Sequence, residues 1–363
     1  EISACLVGSE MCIRDRCAAV PWWHGPDPLT LSALLAAAAA VPPAPVPARD
    51  HGTAARPQPA ARPWSGRPSV LLWGIPEDEA LSAVRNALED LGTRATLVDQ
   101  DATLSLRLGP GPGGEPELRL NGARVALADV TAAYPRPYPF PPAAPGTPAR
   151  AVTRRHVLRV EHELWHWLAT TPALVLNRPG PAAGNATKPA QSRVAATFGF
   201  LIPESLLTND QAAARAFAAR HGPVIYKGAG GSRTITGLFD PADEGRLARL
   251  ATCPTYLQRY IAGNNVRVHV VGADVFAVEV DSDAVDYRRH VNGLRPVALP
   301  PDVADACRAL TAGLGLGLAG IDLIRTPAGD WYFLEANTAP GFSFYPDRDA
   351  VAAAIAGLLS RGQ

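Results

Sequence analysis

Lysine is nearly absent from this chain. Of its 363 residues, 34 are Lys or Arg, and only Lys188 and Lys227 are lysine. Methionine occurs once, cysteine five times, and the formal charges cancel to zero. Each shortage excludes something. A balanced charge argues against a broad nucleic-acid or acidic-membrane surface. Three cysteines, Cys5, Cys12 and Cys17, crowd the start, and Cys253 and Cys307 are too few for a disulfide framework. The apolar run from Leu31 to Val41 is too short to span a bilayer, which takes roughly 20 residues. The default expectation is a cytoplasmic enzyme. What is abundant is Arg, Ala, Gly and 36 Pro. That pattern fits a coding bias that replaces Lys wherever Arg serves. Where Lys persists, a compact ammonium suits the site better than a wide planar fork, as around a phosphate oxygen. Chance survival of two lysines is the alternative.

Residues 1–16 contain LVGSEMCIRDR, which resembles a reading frame of a sequencing adaptor, and are read as an artefact. Residues 17–65 read as a disordered Pro/Ala-rich leader, or as translated upstream DNA, without signal-peptide anatomy. About 298 residues remain, enough for a sizeable α/β core.

Ser69–Gly74 is a strand, Glu77–Leu91 an amphipathic helix with Leu81, Val84, Leu88 and Leu91 on one face, and Arg94–Val98 a second strand. Alternation marks strands at Thr103–Leu108, Glu117–Leu120 and Val130–Tyr134. The Pro-rich run 135–148 marks a domain boundary, with a small α/β domain over 66–149 and a larger one over 150–363. The latter opens on a long helix, 151–169. Helices near 189–198, 210–220, 241–250, 302–313 and 347–359 follow, with strands at 173–177, 319–325 and 331–336 and a strand-rich stretch over 223–281. The expected class is α/β with antiparallel pairs, an α+β mixture.

The strongest chemical signal is Asp322, Glu335 and Asn337. The strands holding them are joined by a short turn, so antiparallel pairing sets Asp322 beside Glu335. Glu335 and Asn337, two apart, leave one face. Three oxygen donors at one spot suit Mg²⁺ shared with phosphates; a solvated strand face is the alternative, which the flanking Leu, Ile, Trp, Tyr and Phe disfavour. Lys227 ends a strand and opens Gly228-Ala229-Gly230-Gly231-Ser232, either a phosphate-covering loop or a plain hairpin tip. Lys188 sits just before a helix. Arg267 shares a strand face with Asn265 and His269, and it suits either a phosphoryl group or an ordinary ion pair. Arg288 and Arg289 fit a carboxylate, and Asp281, Asp283 and Asp286 an amine; a solvated charged loop is equally compatible.

Two motifs match by letter only. Gly109–Gly114 spells GxGxxG but opens no helix. His162–His166 spells HExxH on a helix but lacks a third ligand downstream, so a zinc hydrolase is a remote alternative.

Taken in order, Asn177-Arg178-Pro179 with Lys188, Lys227 with its Gly loop, Leu257-Gln258-Arg259-Tyr260-Ile261, Asn265-Val266-Arg267, and Asp322 with Glu335-Ala336-Asn337 and Pro340-Gly341 resemble an ATP-grasp ligase. The resemblance is to the ribosomal-protein glutamate-ligase branch and to the ligases that crosslink ribosomally made peptides, and it covers 66–363. Tyr134-Pro135-Arg136-Pro137 resembles the segment closing the N-terminal domain of the crosslinking group.

The resemblance implies two α+β subdomains, a nucleotide-binding one over about 171–261 and a metal-binding one over about 262–363. It further implies that Lys188, Lys227, Gly228, Gly230, Gly231 and Ser232 hold ATP phosphates. The backbone of Gln258, Arg259, Tyr260 and Ile261 would read the adenine. Asp322, Glu335 and Asn337 would hold Mg²⁺, with Mn²⁺ as a substitute, and Arg267 and Lys227 would act on the transferring phosphoryl group. Arg259 and Asn265 depart from the acidic residues usual there. The implied reaction is carboxylate–amine or carboxylate–hydroxyl ligation through an acylphosphate. Its substrate would be a peptide or amino-acid-like carboxylate, such as a ribosomal precursor peptide, with Arg288 and Arg289 facing it. No nucleic-acid or membrane partner is expected, and a homo-oligomer is left open. The rival readings are an inactive ATP-binding module and a phosphotransferase on the same fold.

Overall fold

In the computed structural model the residues described are 69–100, 107–110, 116–120, 123–138, 148–182, 188–228 and 236–362, all within the compact unit Ser65–Gln363. The segments 1–16 and 17–65 lie outside them.

The β-α-β opening is β1 (Ser69–Gly74), α1 (Glu79–Asp90) and β2 (Arg94–Asp99). Asp78 sets where α1 starts: its carboxylate accepts the Leu81 N–H at 2.8 Å, satisfying one orphan amide of the first turn. Leu81, Val84 and Leu88 are buried as their spacing requires. Leu91 is 56% exposed, because the helix ends at Asp90 and Leu91 is its C-cap. A hairpin sheet follows, of β3 (Arg107–Pro110), β4 (Pro116–Leu120) and β5 (Ala123–Ala126). β6 (Ala132–Pro135) then returns to pair parallel with β1. After α2 (Pro148–Thr170), β7 (Leu174–Val175) completes the first sheet in the order β2-β1-β6-β7. Leu71 and Trp73 of β1 pack with Val160, Leu164 and Leu168 of α2 on one face of this sheet.

α3 (Lys188–Thr197) leads to a second, antiparallel sheet of β8 (Ser205–Thr208), β9 (Val224–Gly228), β10 (Gly237–Leu238) and β11 (Thr255–Arg259), ordered β10-β9-β11-β8. α4 (Gln211–His221) and α5 (Glu244–Leu250) cover it through Ala214, Ala218, Leu247 and Leu250.

The third sheet is also antiparallel: β12 (Asn264–Val271), β13 (Asp274–Asp281), β14 (Gly293–Pro296), β15 (Leu318–Arg325) and β16 (Trp331–Asn337), ordered β14-β13-β12-β15-β16. Val266, Val268 and Val270 share a core with Cys307 and Leu310 of α6 (Pro301–Gly313). Strand alternation sends Asn265, Arg267 and His269 to the opposite face. The last helix, α7 (Arg348–Arg361), packs Val351, Ile355 and Leu359 back against α1 and the first sheet. The C-terminal segment and the N-terminal sheet therefore share one core.

The outer edge of β16 is covered. The Gln191 side chain of α3 donates to the Ala336 carbonyl at 2.8 Å and accepts its N–H at 3.0 Å. Leu201 donates to the Trp331 carbonyl and accepts the Phe333 N–H.

Candidate functional site

Three neighbouring strands carry the charges. In register, Arg267 on β12 lies opposite Asp322 on β15, and Asp322 lies opposite Glu335 on β16. A β-bulge between β15 and β16 leaves Leu334 without a partner. It has a direct consequence. Phe333 and Glu335 are two apart and should share a face, yet Phe333 is in the core with Leu323. The extra residue reverses the alternation, so Phe333 turns inward and Glu335 turns toward Asp322. Asn337, opposite Gly320, follows Glu335 on the same face.

Asp322 is oriented by two donors on one oxygen. Arg267 Nη1 donates to Oδ1 at 2.9 Å and the Tyr287 hydroxyl at 3.1 Å. Its Oδ2 is the oxygen those two donors leave for a cation. Arg267 is 4% exposed; burial opposes its charge, but Asp322, Tyr287 and Tyr345 together raise its pKa above the usual guanidinium value. Gly320 makes room for it. A Cβ there would lie 2.3 Å from Arg267 Nη2 and 2.6 Å from the Pro340 ring.

Lys188 and Lys227 approach from outside this sheet. Lys188, the first residue of α3, places Nζ 3.5 Å from Glu335 Oε2. Lys227, near the end of β9, is buried, and burial lowers its pKa against the pull of Glu335 and Asp322. Burial pushes Glu335 upward in pKa, yet Lys227, Lys188, Arg288 and Arg267 together hold it below the ordinary value. Two lysines, two arginines and two carboxylates thus meet between the second and third sheets. Two carboxylates and an amide from adjacent strands are an oxygen set suited to a hard divalent cation.

The remaining expected residues fall as follows. Gly228 closes β9, and Gly230, Gly231 and Ser232 lie outside the described residues. Gln258 is 1% exposed, and its Oε1 is a buried acceptor with no hydrogen-bond partner. The Arg259 and Tyr260 amides already donate to the Glu204 and Pro223 carbonyls, and the Arg259 side chain pairs with Glu204 at 2.5 Å. Ile261 is buried. Arg288 is paired with Asp286 at 2.6 Å; of Arg289 only the backbone is described. Asp286 is buried between Arg288 and the Thr236 N–H, which corrects the expectation that it draws in an amine. Asp283 accepts from Asn292.

His162 and His166 are exposed on α2, and among the described residues no three His, Cys, Asp or Glu gather to hold a metal. Of the GxGxxG letters, Gly109 and Pro110 lie in β3 and the rest are outside the described residues. No helix among the described residues is long and apolar enough to cross a membrane.

Several residues shape the site through contacts that the sequence did not show. Asn177, buried, donates to the Leu318 and Thr338 carbonyls and accepts the Gly317 and Leu318 amides, tying the start of β15 to the end of β16. Arg136, beyond β6, donates to the Pro340 carbonyl at 2.9 Å and pairs with Asp78 at 3.3 Å. Tyr287 was legible only as the neighbour of Arg288. Gly320, a glycine inside an apolar strand, was the one visible sign of a close approach.

No protein-family model matches the chain. The vancomycin C-type resistance protein VanC2 of Enterococcus casseliflavus is 31% identical over 180 residues. That match covers 42% of this chain and 51% of VanC2, so the chain spans about half the length of that relative. Among solved structures, a RiPP-associated ATP-grasp ligase of Chryseobacterium gregarium, in complex with ADP and a leader and core peptide, superposes at TM-score 0.71 with 22% identity. It covers 82% of this chain and 97% of its own. The ATP-grasp ligase PsnB, complexed with a phosphomimetic variant of its minimal precursor, Mg and ADP, superposes at TM-score 0.67 with 26% identity, covering 81% and 98%.

Proposed function

We propose that this chain, which has the ATP-grasp fold, is an ATP- and Mg²⁺-dependent ligase that joins a carboxylate to an amine or hydroxyl through an acylphosphate. The observation that carries the reading is the meeting of Lys188, Lys227, Arg267, Asp322 and Glu335 between two sheets. The likeness to peptide-bound ligases favours a peptide carboxylate, such as that of a ribosomal precursor.

In this reading β1, β2 and β6 of the first sheet belong to an N-terminal domain over 66–149, to which β7 adds its edge from the following segment; the second sheet belongs to a nucleotide-binding subdomain over about 171–261, and the third to a metal-binding subdomain over about 262–363. Asp322, Glu335 and Asn337 hold Mg²⁺, which neutralises phosphate charge when bound. Lys188, 3.5 Å from Glu335, and the buried Lys227 would hold the nucleotide phosphates. Gln258 Oε1 supplies the acceptor an adenine amino group needs. Arg267, held in plane by Asp322 and Gly320, draws charge from the phosphoryl group as the substrate carboxylate attacks it. Arg288 faces the carboxylate side. No nucleophilic side chain is required, because positioning and charge neutralisation carry such a transfer.

Calorimetric titration of the protein with Mg-ATP tests the reading. One site, weakened at least tenfold by Lys227→Ala and by Glu335→Ala, is expected, since each loses a charged contact worth ~1.5–3 kcal/mol. ADP release should then depend on an added carboxylate and an amine or hydroxyl, and the product should be an amide or ester. No binding by folded wild type would end the ligase reading; a stable phosphorylated product would make the protein a phosphotransferase.

A further inference from the structure

Behind Arg267 lies a group of buried polar atoms that the proposed chemistry leaves unused. His269 is two residues further along β12 on the same face and is fully buried. Arg267 Nε points at His269 Nε2 from 3.4 Å. A guanidinium can only donate, so Nε2 is the acceptor and carries no proton. The other ring nitrogen, Nδ1, faces Asp347 Oδ2 at 3.9 Å. Nδ1 and both carboxylate oxygens of Asp347 are buried without a hydrogen-bond partner. Nδ1 thus faces Oδ2 across a gap too narrow for water. A shift of about 1 Å closes it to a normal hydrogen bond. The ring itself is held edge-on by Tyr345, with centroids 5.1 Å apart, and by Phe342 at 6.3 Å. Asp347 directly precedes α7, whose apolar face is locked into the N-terminal core.

We propose that His269 is a positioning residue for Arg267: a neutral imidazole with its proton on Nδ1 toward Asp347, whose Nε2 fixes the plane of the guanidinium that also grips Asp322. The inference rests on the proposed function for its catalytic meaning, but its structural part stands alone. The relay Asp347–His269–Arg267–Asp322 runs from the residue that precedes the last helix to the proposed metal-binding carboxylate. It gives Arg267 two fixed acceptors, one on Nε and one on Nη1, so the remaining guanidinium face is presented to the cleft in one orientation. Protonating His269 would set two donors against each other at Nε2 and release Arg267. The groups facing the ring are Arg267, Asp347, Tyr345 and the Gly341 main chain. Burial, reinforced by Arg267, lowers the His269 pKa and outweighs Asp347, so the neutral form is the resting one.

The test uses the full chain labelled with ¹⁵N-histidine, with His269 assigned by loss of its signals in His269→Gln. Long-range proton–nitrogen spectra should show a neutral ring protonated on Nδ1, and Asp347→Ala should disturb that tautomer. Binding of Mg-AMPPNP and Mg-ADP is then compared by calorimetry. His269→Leu should weaken AMPPNP about tenfold, the scale of one hydrogen bond to a charged group, while ADP, which lacks the γ-phosphate, is unchanged. His269→Gln, whose amide oxygen can replace Nε2, should restore most of the loss. An Nε2-protonated or charged ring, or a tautomer indifferent to Asp347→Ala, would overturn the relay. So would equal losses for both nucleotides, or a folded Gln variant as weak as Leu. If wild type binds neither nucleotide, the ligase reading fails, and the tautomer result alone decides the relay.

Discussion

Arg136→Met should destabilise the protein strongly, although Arg136 belongs to neither the phosphate nor the metal set. Its side chain is 8% exposed and pairs with Asp78, whose side chain is 3% exposed. Removing one member of a buried pair leaves the other charge uncompensated, at ~3–5 kcal/mol. Asp78 keeps two donors, the Leu81 amide and the Tyr138 hydroxyl, which places the expected loss near ~3 kcal/mol. At ~2–4 °C per kcal/mol for a domain of this scale, the melting temperature should fall by about 10 °C. The assay is urea unfolding followed by tryptophan fluorescence; Trp73, buried in β1 of the same sheet, is a local reporter. The double variant Arg136→Met with Asp78→Asn should recover part of the loss, because Asn keeps the helix cap without a bare charge. A loss below about 1 kcal/mol, or strict additivity in the double variant, would refute the reasoning. Arg136 also loses the Pro340 carbonyl, so Mg-AMPPNP affinity should fall in the folded fraction of the single variant.

Gly320→Ala should cost about 1–3 kcal/mol and weaken Mg-AMPPNP more than Mg-ADP, because the new Cβ meets both Arg267 and Pro340; unchanged nucleotide binding would count against the packing argument. Glu335, held below its usual pKa by four cations, contributes stability that is fully present above the unfolded carboxylate range and is lost as pH falls through its folded pKa. Denaturation midpoints between pH 6 and pH 3 should therefore fall less steeply in Glu335→Gln than in wild type. Burial pushes the Cys307 thiol up to about 12, so thiol-reagent mapping by mass spectrometry should label exposed Cys253 at neutral pH and Cys307 only after unfolding.

Local pattern made much of this architecture readable. Ser69–Gly74 is a strand from end to end, and the face of α1 follows the spacing of Leu81, Val84 and Leu88. The pairing of Asp322 with Glu335 followed from two strands and a short turn. The scarcity of lysine pointed to two side chains that do meet at one carboxylate cluster. What escaped was long-range. The Leu334 bulge depends on how β16 meets β15, and nothing in WYFLEAN distinguishes a bulged strand from a regular one. Arg136 and Pro340 are 204 residues apart, and Asn177 and Thr338 are 161 apart. The packing of α7 against α1 likewise joins the two ends of the described chain. Side-chain clamps onto a distant backbone have no period and no composition, so they become visible only with the fold in place.

The covering of β16 has a consequence for the protein's behaviour at high concentration. A border strand with bare amides and carbonyls is a template on which a second chain can align and start an aggregate. Here one glutamine from α3 mimics the rung of a neighbouring strand at Ala336, and the Leu201 main chain supplies two more rungs at Trp331 and Phe333. The strand that carries Glu335 and Asn337 is thereby shielded from intermolecular pairing. It gains that protection without a proline on the strand.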